Sequence, residues 1–265
     1  MELKEFIKNT ITEISDAVTE NKKELNDKEI VVNPEKIKII PIEEETLYFL
    51  FRRGTKEHIE ALYEKGEIYI NTIDFIRKCD ENEERADKDD GIKYRKYNGN
   101  AQIEMFDFGT DFQTTGLKMS AENLVLKEDN INSGNIYCFS KIYSEDLIGE
   151  RNDIVFNTEK FGDYSIVIHS PTKFLEKIFK ELDRLGYKNY KANKIIYYNN
   201  EYSGKVNFFK KHEKHKSQKE FRVFIPNNKN KPIKFNIGSL KDIASINTEV
   251  IKLTYTDSKE QMIHL

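Results

Sequence analysis

The sequence predicts an α+β fold: a mixed, sheet-dominated domain with helices packed on it, preceded by an N-terminal amphipathic helix. Three observations carry this expectation. Short runs rich in aromatic and aliphatic residues, such as TLYFLFRRG (46–54), NIYCFSKIYS (135–144) and YSIVIHS (164–170), recur between polar breaks, as strands do. Two segments of the body instead repeat apolar residues at helical spacing. Finally, 17 Phe and 14 Tyr supply core material to a 265-residue chain that is 34% charged, a globular balance.

In chain order, Leu3, Ile7, Ile11, Ile14 and Val18 draw one apolar stripe on a helix from about residue 2 to 25. That stripe must dock on the body or pair with a second copy as a homodimer. NDKEIVVNPEK (26–36) reads as a connector with a short extended piece, so residues 1–39 form the helix and connector and 40–265 the α+β domain. After the strand ending in Arg-Arg-Gly, TKEHIEALYEKGEIYINTI reads as helix, Gly66 stop and strand, with Ile59, Leu62 and Tyr63 on the buried face. CDENEERADKDDGIKYR carries seven acids between Asp80 and Asp90 and reads as a solvated loop. The stretch from Lys93 to Asn135 alternates in patches (AQIEMFDF, NLVLKED) broken by Gly and Asn, which predicts short strands. TKFLEKIFKELDRLGY is the clearest helix, with Phe174, Ile178, Leu182 and Leu185 on one face and Gly186 as its stop. NKIIYYNNEY and EFRVFIPNN are strands, and PIKFNIGSL leads into a last strand pair.

Composition narrows the function classes. A net charge of −3 exerts no global pull toward nucleic acid or membrane. No apolar run approaches the ~20 residues of a membrane span. MELKEFIKNT lacks a basic-then-apolar signal pattern, and two cysteines, Cys79 and Cys138, suit free thiols in a reducing compartment, so the expected location is cytoplasmic. HEKH (212–215) spaces its histidines three apart where a zinc protease needs four, so no metal is expected. There is no G-x-S-x-G elbow, P-loop or G-x-G-x-x-G. Lys173 to Lys219 holds thirteen Lys/Arg against five Asp/Glu, either a solvated surface or an electrostatic collar for the phosphates of a dinucleotide or RNA.

One constellation has a specific chemistry. An arginine ends one strand (FRRG), a serine sits inside another (YCFSK), and Glu220 opens a third (KSQKEFRVFIP), two residues after Gln218. In that order these residues resemble the arginine–serine–glutamate group of ADP-ribosyltransferases, where a Gln-x-Glu or Glu-x-Glu pair precedes a strand. The resemblance implies that Arg52 or Arg53 contacts the pyrophosphate of NAD, that Ser140 steadies the glutamate, and that Glu220 holds the nicotinamide ribose. A carboxylate there stabilises the oxocarbenium charge that builds as the bond to nicotinamide breaks, while the arginine fixes the pyrophosphate. Gln218, on the same side of an extended chain as Glu220, would position the acceptor nucleophile. Tyr69, Asn71 and Thr72, in EIYINT, would line the nicotinamide pocket. The intervals between the three motifs are longer than in compact toxins of the group, and CFSK departs from the usual Ser-Thr-Ser.

LFRRG, GEIYINTIDFIR with its acidic loop, IYCFSK, KIIYYNN and QKEFRVFI also look, over residues 46–226, like a bacterial domain family of unknown function found in phage-defence and toxin settings. The Trp and His-Tyr that family carries after Phe-Ser are absent here. Together the resemblances imply an NAD-dependent transferase acting on a protein or nucleic-acid acceptor, as a toxin or phage-defence effector. Two other classes stay open. One is a non-catalytic binding or sensor protein of a defence system. The other is an RNA-processing enzyme using His212 or His215 as acid or base.

Overall fold

A computed structural model describes residues 30–33, 37–39, 46–78, 89–106, 114–128, 134–147, 152–156, 158–255 and 258–265. The N-terminal stripe, Cys79 and acids 80–88 lie outside the described residues. The first half holds β1 (Ile30–Asn33), β2 (Ile37–Ile39), β3 (Leu47–Gly54), α1 (Lys56–Lys65), β4 (Glu67–Thr72), α2 (Ile73–Lys78), β5 (Tyr94–Phe106), β6 (Thr114–Glu128), β7 (Gly134–Tyr143) and α3 (Ser144–Leu147). The second half holds β8 (Ile154–Val155), β9 (Tyr164–Ile168), α4 (Pro171–Arg184), β10 (Lys191–Lys194), β11 (Ile196–Tyr198), β12 (Gly204–Lys205) and β13 (Lys210–His212). It ends with β14 (Glu220–Pro226), β15 (Ile233–Asn236), β16 (Ala244–Ile246), β17 (Val250–Tyr255) and β18 (Glu260–His264). Sheet dominates, as expected of a mixed α+β fold.

The main sheet runs β10-β14-β7-β3-β9-β16, and β4, flanked by β15, joins it on β7. Period-two alternation gives each strand two faces. Leu50, Tyr137, Phe139, Ile166, Phe221 and Val223 face α1 and α4, whose Ile59, Leu62, Phe174, Ile178 and Leu182 are buried against them. Fully burying each such side chain stabilises the fold by about 1.5–3 kcal/mol. On the opposite face Phe49, Phe51, Ile142 and Val167 pack on Phe156, Leu253 and Ile263 from a second sheet, β2-β1-β17-β18-β8. The molecule is therefore layered helix, sheet, sheet. The short extended piece expected in the connector is β1, paired antiparallel with β17.

Local signals explain the helix ends. The Thr55 hydroxyl accepts from the His58 N–H at the start of α1, and Gly66 stops it at φ 63. A Cβ on Gly66 would lie 2.1 Å from the Gly238 carbonyl, so only glycine fits. Leu185, expected on the buried face of α4, falls beyond the last turn and is exposed.

The region expected to be short strands is instead one long antiparallel hairpin, β5–β6, with β12 at its base. Asn98, Gly99, Asn100 and Asn123 are absorbed within the strands: Asn123 takes a left-handed φ of 56 and its side chain accepts from the Tyr97 hydroxyl. No helix among the described residues is long and apolar enough to cross a membrane.

Candidate functional site

The site begins with a split in the main sheet. Strands β3 and β4 both pair antiparallel with the same edge of β7, but at different places. Phe51 opposes Ser140, whereas Asn71 opposes Ile136. Between them β3 peels away to follow β9, where Arg52 opposes Ile166 and Arg53 opposes Ser165. The two strands thus part around Tyr137–Phe139, and a cleft opens there, about 960 Å³ when the space open to solvent at its mouth is included. In the split, the Cys138 carbonyl accepts a 2.6 Å hydrogen bond from Arg52 Nη1, in place of a neighbouring strand.

Strand parity decides which side chains reach the cleft. Phe51, Ser140 and Glu220 stand directly opposite one another across β3, β7 and β14, so they share a face. Two residues on along the strands, Arg53, Cys138 and Arg222 lie on that same face. In β4, Tyr69 and Asn71 point to the cleft while Ile68 and Ile70 point to the core. Arg52, Tyr137 and Phe139 have the other parity and enter through the split; Arg52 lies over the Tyr137 ring, 4.5 Å from its centroid. Of the residues expected at a site, Arg52, Arg53, Tyr69, Asn71, Ser140, Gln218 and Glu220 all line this one cleft.

Thr72 does not. It shares the parity of Ile70, is buried, and its hydroxyl accepts from the Phe75 N–H at the start of α2. Strand alternation admits Tyr69 and Asn71 together and excludes Thr72.

Glu220 is not the solvated strand-end charge its position allows. It is 5% exposed, and both carboxylate oxygens are held. Oε1 accepts from Arg222 Nε at 2.5 Å; Oε2 accepts from Lys211 Nζ at 3.1 Å and Arg222 Nη2 at 3.3 Å. Arg222, 1% exposed, also donates to both oxygens of buried Asp90, at 2.6 and 2.8 Å, and to the Phe208 carbonyl at 3.0 Å. Burial alone would raise the Glu220 pKa, but Arg222 and Lys211 outweigh it and hold the carboxyl well below the usual carboxylate range. The Cys138 thiol, also hydrogen-bonded to Glu220, is pushed up by burial and by that carboxylate. Among the described residues no hydrogen bond joins the Ser140 hydroxyl to Glu220. The steadying expected of the serine falls to Arg222 and Lys211.

Gln218 reaches the cleft by a different route from the one its spacing suggests. It ends a 3-10 turn, Glu213–Gln218, and Lys219 behind it is left-handed at φ 42. The chain from Gln218 to Glu220 is therefore bent, not extended. Lys219 is fixed there by Asp146 through its ammonium, 2.5 Å, and by the Lys141 N–H on its carbonyl, 2.9 Å.

Three residues of the buried network went unforeseen. Asp90 reads as the tail of a solvated acidic loop, yet it sits in a tight turn at Gly91 (φ 77), where a Cβ would lie 3.1 Å from the Phe208 ring. Arg222 reads as solvent-facing, and Lys211 as one charge of the basic collar. The histidines of HEKH form no metal cluster with other described residues. His212 instead caps the 3-10 turn, accepting from the Lys214 N–H. Burial, with Lys211 and Lys214 nearby, pushes the His215 pKa down to about 4.

At the other end of the cleft, Arg52 forms no ion pair with a carboxylate among the described residues. Arg53 donates to the Gly162 carbonyl at 3.3 Å and to the main-chain oxygen of Leu265, the last residue of the sequence, at 2.6 Å. Its Nε, and the hydroxyl of Thr158 in the same cleft wall, are buried with no hydrogen-bond partner among the described residues. Such orphans are rare in native proteins and mark a place where a partner belongs. The arrangement is thus a polarised cleft with Arg52 and Arg53 at one end, a locked carboxylate at the other, and Tyr69, Phe75, Tyr137 and Phe161 also lining it. No protein-family model matches the chain, and no curated protein or solved structure matches it either.

Proposed function

We propose that this protein cleaves NAD and transfers its ADP-ribosyl group to a protein or nucleic-acid acceptor. The observation that carries the reading is the convergence, in one cleft, of Arg52, Arg53, Ser140, Gln218 and Glu220 from strands and turns far apart in sequence. Arg52, with no carboxylate partner among the described residues, and Arg53 beside it favour an anionic ligand such as a pyrophosphate. The orphaned Arg53 Nε and Thr158 hydroxyl add unused donors on that side. Tyr69 and Phe75 at the mouth offer aromatic faces to a ring. In the reaction the bond between ribose C1′ and nicotinamide nitrogen breaks, nicotinamide leaves with the electron pair, and a nucleophile of the acceptor closes on C1′. Glu220, kept ionised, opposes the positive charge on the ribose. Its pairing with Arg222 and Lys211 favours a second reading, a sensor that binds the dinucleotide without cleaving it.

Labelled NAD incubated with the protein in a cell lysate tests both. Transfer of label by wild type and its loss in Glu220→Gln, with folding checked by circular dichroism, supports the transferase; protease or nuclease digestion then assigns the acceptor class. NAD loss without transfer indicates a glycohydrolase. Saturable binding of NAD with no turnover establishes the sensor, and neither binding nor turnover removes both readings.

A further inference from the structure

We infer that Lys211 is a positioning residue of the reaction centre, the tie that holds Gln218 and Glu220 as one unit; the inference rests on the transferase reading above. Lysine is almost never buried unless paired, yet Lys211 is 5% exposed, deep in the cleft wall. Its ammonium donates to Gln218 Oε1 at 2.9 Å and to Glu220 Oε2 at 3.1 Å.

Chemistry orients the amide. An ammonium only donates, so the group that Gln218 offers it must be the carbonyl oxygen. The amide nitrogen is thereby the end turned away from Lys211, and Gln218 is set as a hydrogen-bond donor. Backbone geometry does not achieve this alone, because left-handed Lys219 breaks the extended spacing that would align the two side chains.

The tie is braced from outside the main sheet. Strand β13 pairs in parallel with β11, placing Lys211 opposite Tyr197. The Tyr197 hydroxyl accepts the Glu220 N–H at 2.9 Å. One two-stranded ribbon therefore holds Glu220 by main chain and side chain together. Charge closes the same way: Arg222 is shared between Asp90 and Glu220, and Lys211 supplies the balancing positive charge.

The test is steady-state NAD turnover by wild type, Lys211→Met and Lys211→Arg. It is read alongside the side-chain amide resonance of Gln218, assigned by its disappearance in Gln218→Glu. A lost positioning contact near reacting atoms can cost about a hundredfold. For Lys211→Met we expect a fall in kcat of that order with KM for NAD within about threefold of wild type, a shifted Gln218 signal, and substantial recovery in Lys211→Arg. Wild-type kcat in Lys211→Met, or kcat, KM and thermal midpoint all failing together, overturns the assignment and leaves Lys211 inert or merely structural. Those outcomes presuppose an active wild type. A wild type inert toward NAD instead removes the transferase reading, and the role of Lys211 in it.

Discussion

The two ends of the cleft treat charge in opposite ways. At the β14 end, Asp90, Arg222, Glu220 and Lys211 close on one another until little charge is left over, all four within 5% exposure. At the β3 end, Arg52 spends a donor on the Cys138 carbonyl and keeps its charge, and Arg53 beside it donates to main-chain oxygens of Gly162 and Leu265. Closed charge belongs to the fold, since an uncompensated ion inside the protein is costly. Open charge is held ready for something else. The contrast predicts that losing Arg222, the cation shared by two buried carboxylates, costs mainly stability, whereas losing Arg52 and Arg53 costs mainly what the cleft binds.

Breaking the closed end should have the largest effect. Arg222→Met strands Asp90 and Glu220 without their shared cation and is expected to cost roughly 3–5 kcal/mol, measured as a lowered urea midpoint at unchanged slope. A change under about 1 kcal/mol would mean the network is solvated rather than closed. At the open end, the double variant Arg52→Gln, Arg53→Gln should weaken ADP-ribose binding in titration calorimetry by about tenfold or more while the urea midpoint moves less than for Arg222→Met. Equal binding by wild type and double variant would show that the open charge recognises nothing in that ligand.

A third experiment sharpens the boundary between the ends through pH. The depressed pKa of His215 means that the unfolded chain takes up a proton before the folded protein does. Its contribution to stability is full above the unfolded value near 6.5 and is lost as pH falls toward about 4. His215→Asn should flatten the change in urea midpoint between pH 7 and pH 5. The depressed pKa of Glu220 makes its own contribution full above the unfolded carboxyl value of 4.5 and progressively lost as pH falls below it. Smallest of all, Leu126→Lys on the exposed face of the β5–β6 hairpin should shift stability by no more than about 0.5 kcal/mol.

Much of this was readable in the chain, and what was not has a physical cause. Arg52, Arg53, Ser140 and Glu220 could be placed because each sits at a fixed point of an apolar strand, and strands register against one another in few ways. Tyr69 and Asn71 followed from alternation, and the same rule applied strictly would have dropped Thr72. Asp90, Lys211 and Arg222 were out of reach. A charge in an acidic loop or a basic run looks the same in sequence whether water or a partner 132 residues away satisfies it. The bend at Lys219 was equally silent, since a left-handed lysine is an exception, held here by Asp146, the Lys141 N–H and the Lys216 carbonyl.

Cys138 lies where these threads meet, on the strand that carries the split and hydrogen-bonded to Glu220. Because thiolate, not thiol, reacts with alkylating reagents, its raised pKa makes it a slow nucleophile for as long as the ion cluster stays shut. The rate at which iodoacetamide modifies Cys138, resolved from Cys79 by peptide mapping, therefore works as a clock for spontaneous opening of the cleft floor. Occupancy by a ligand should slow that clock.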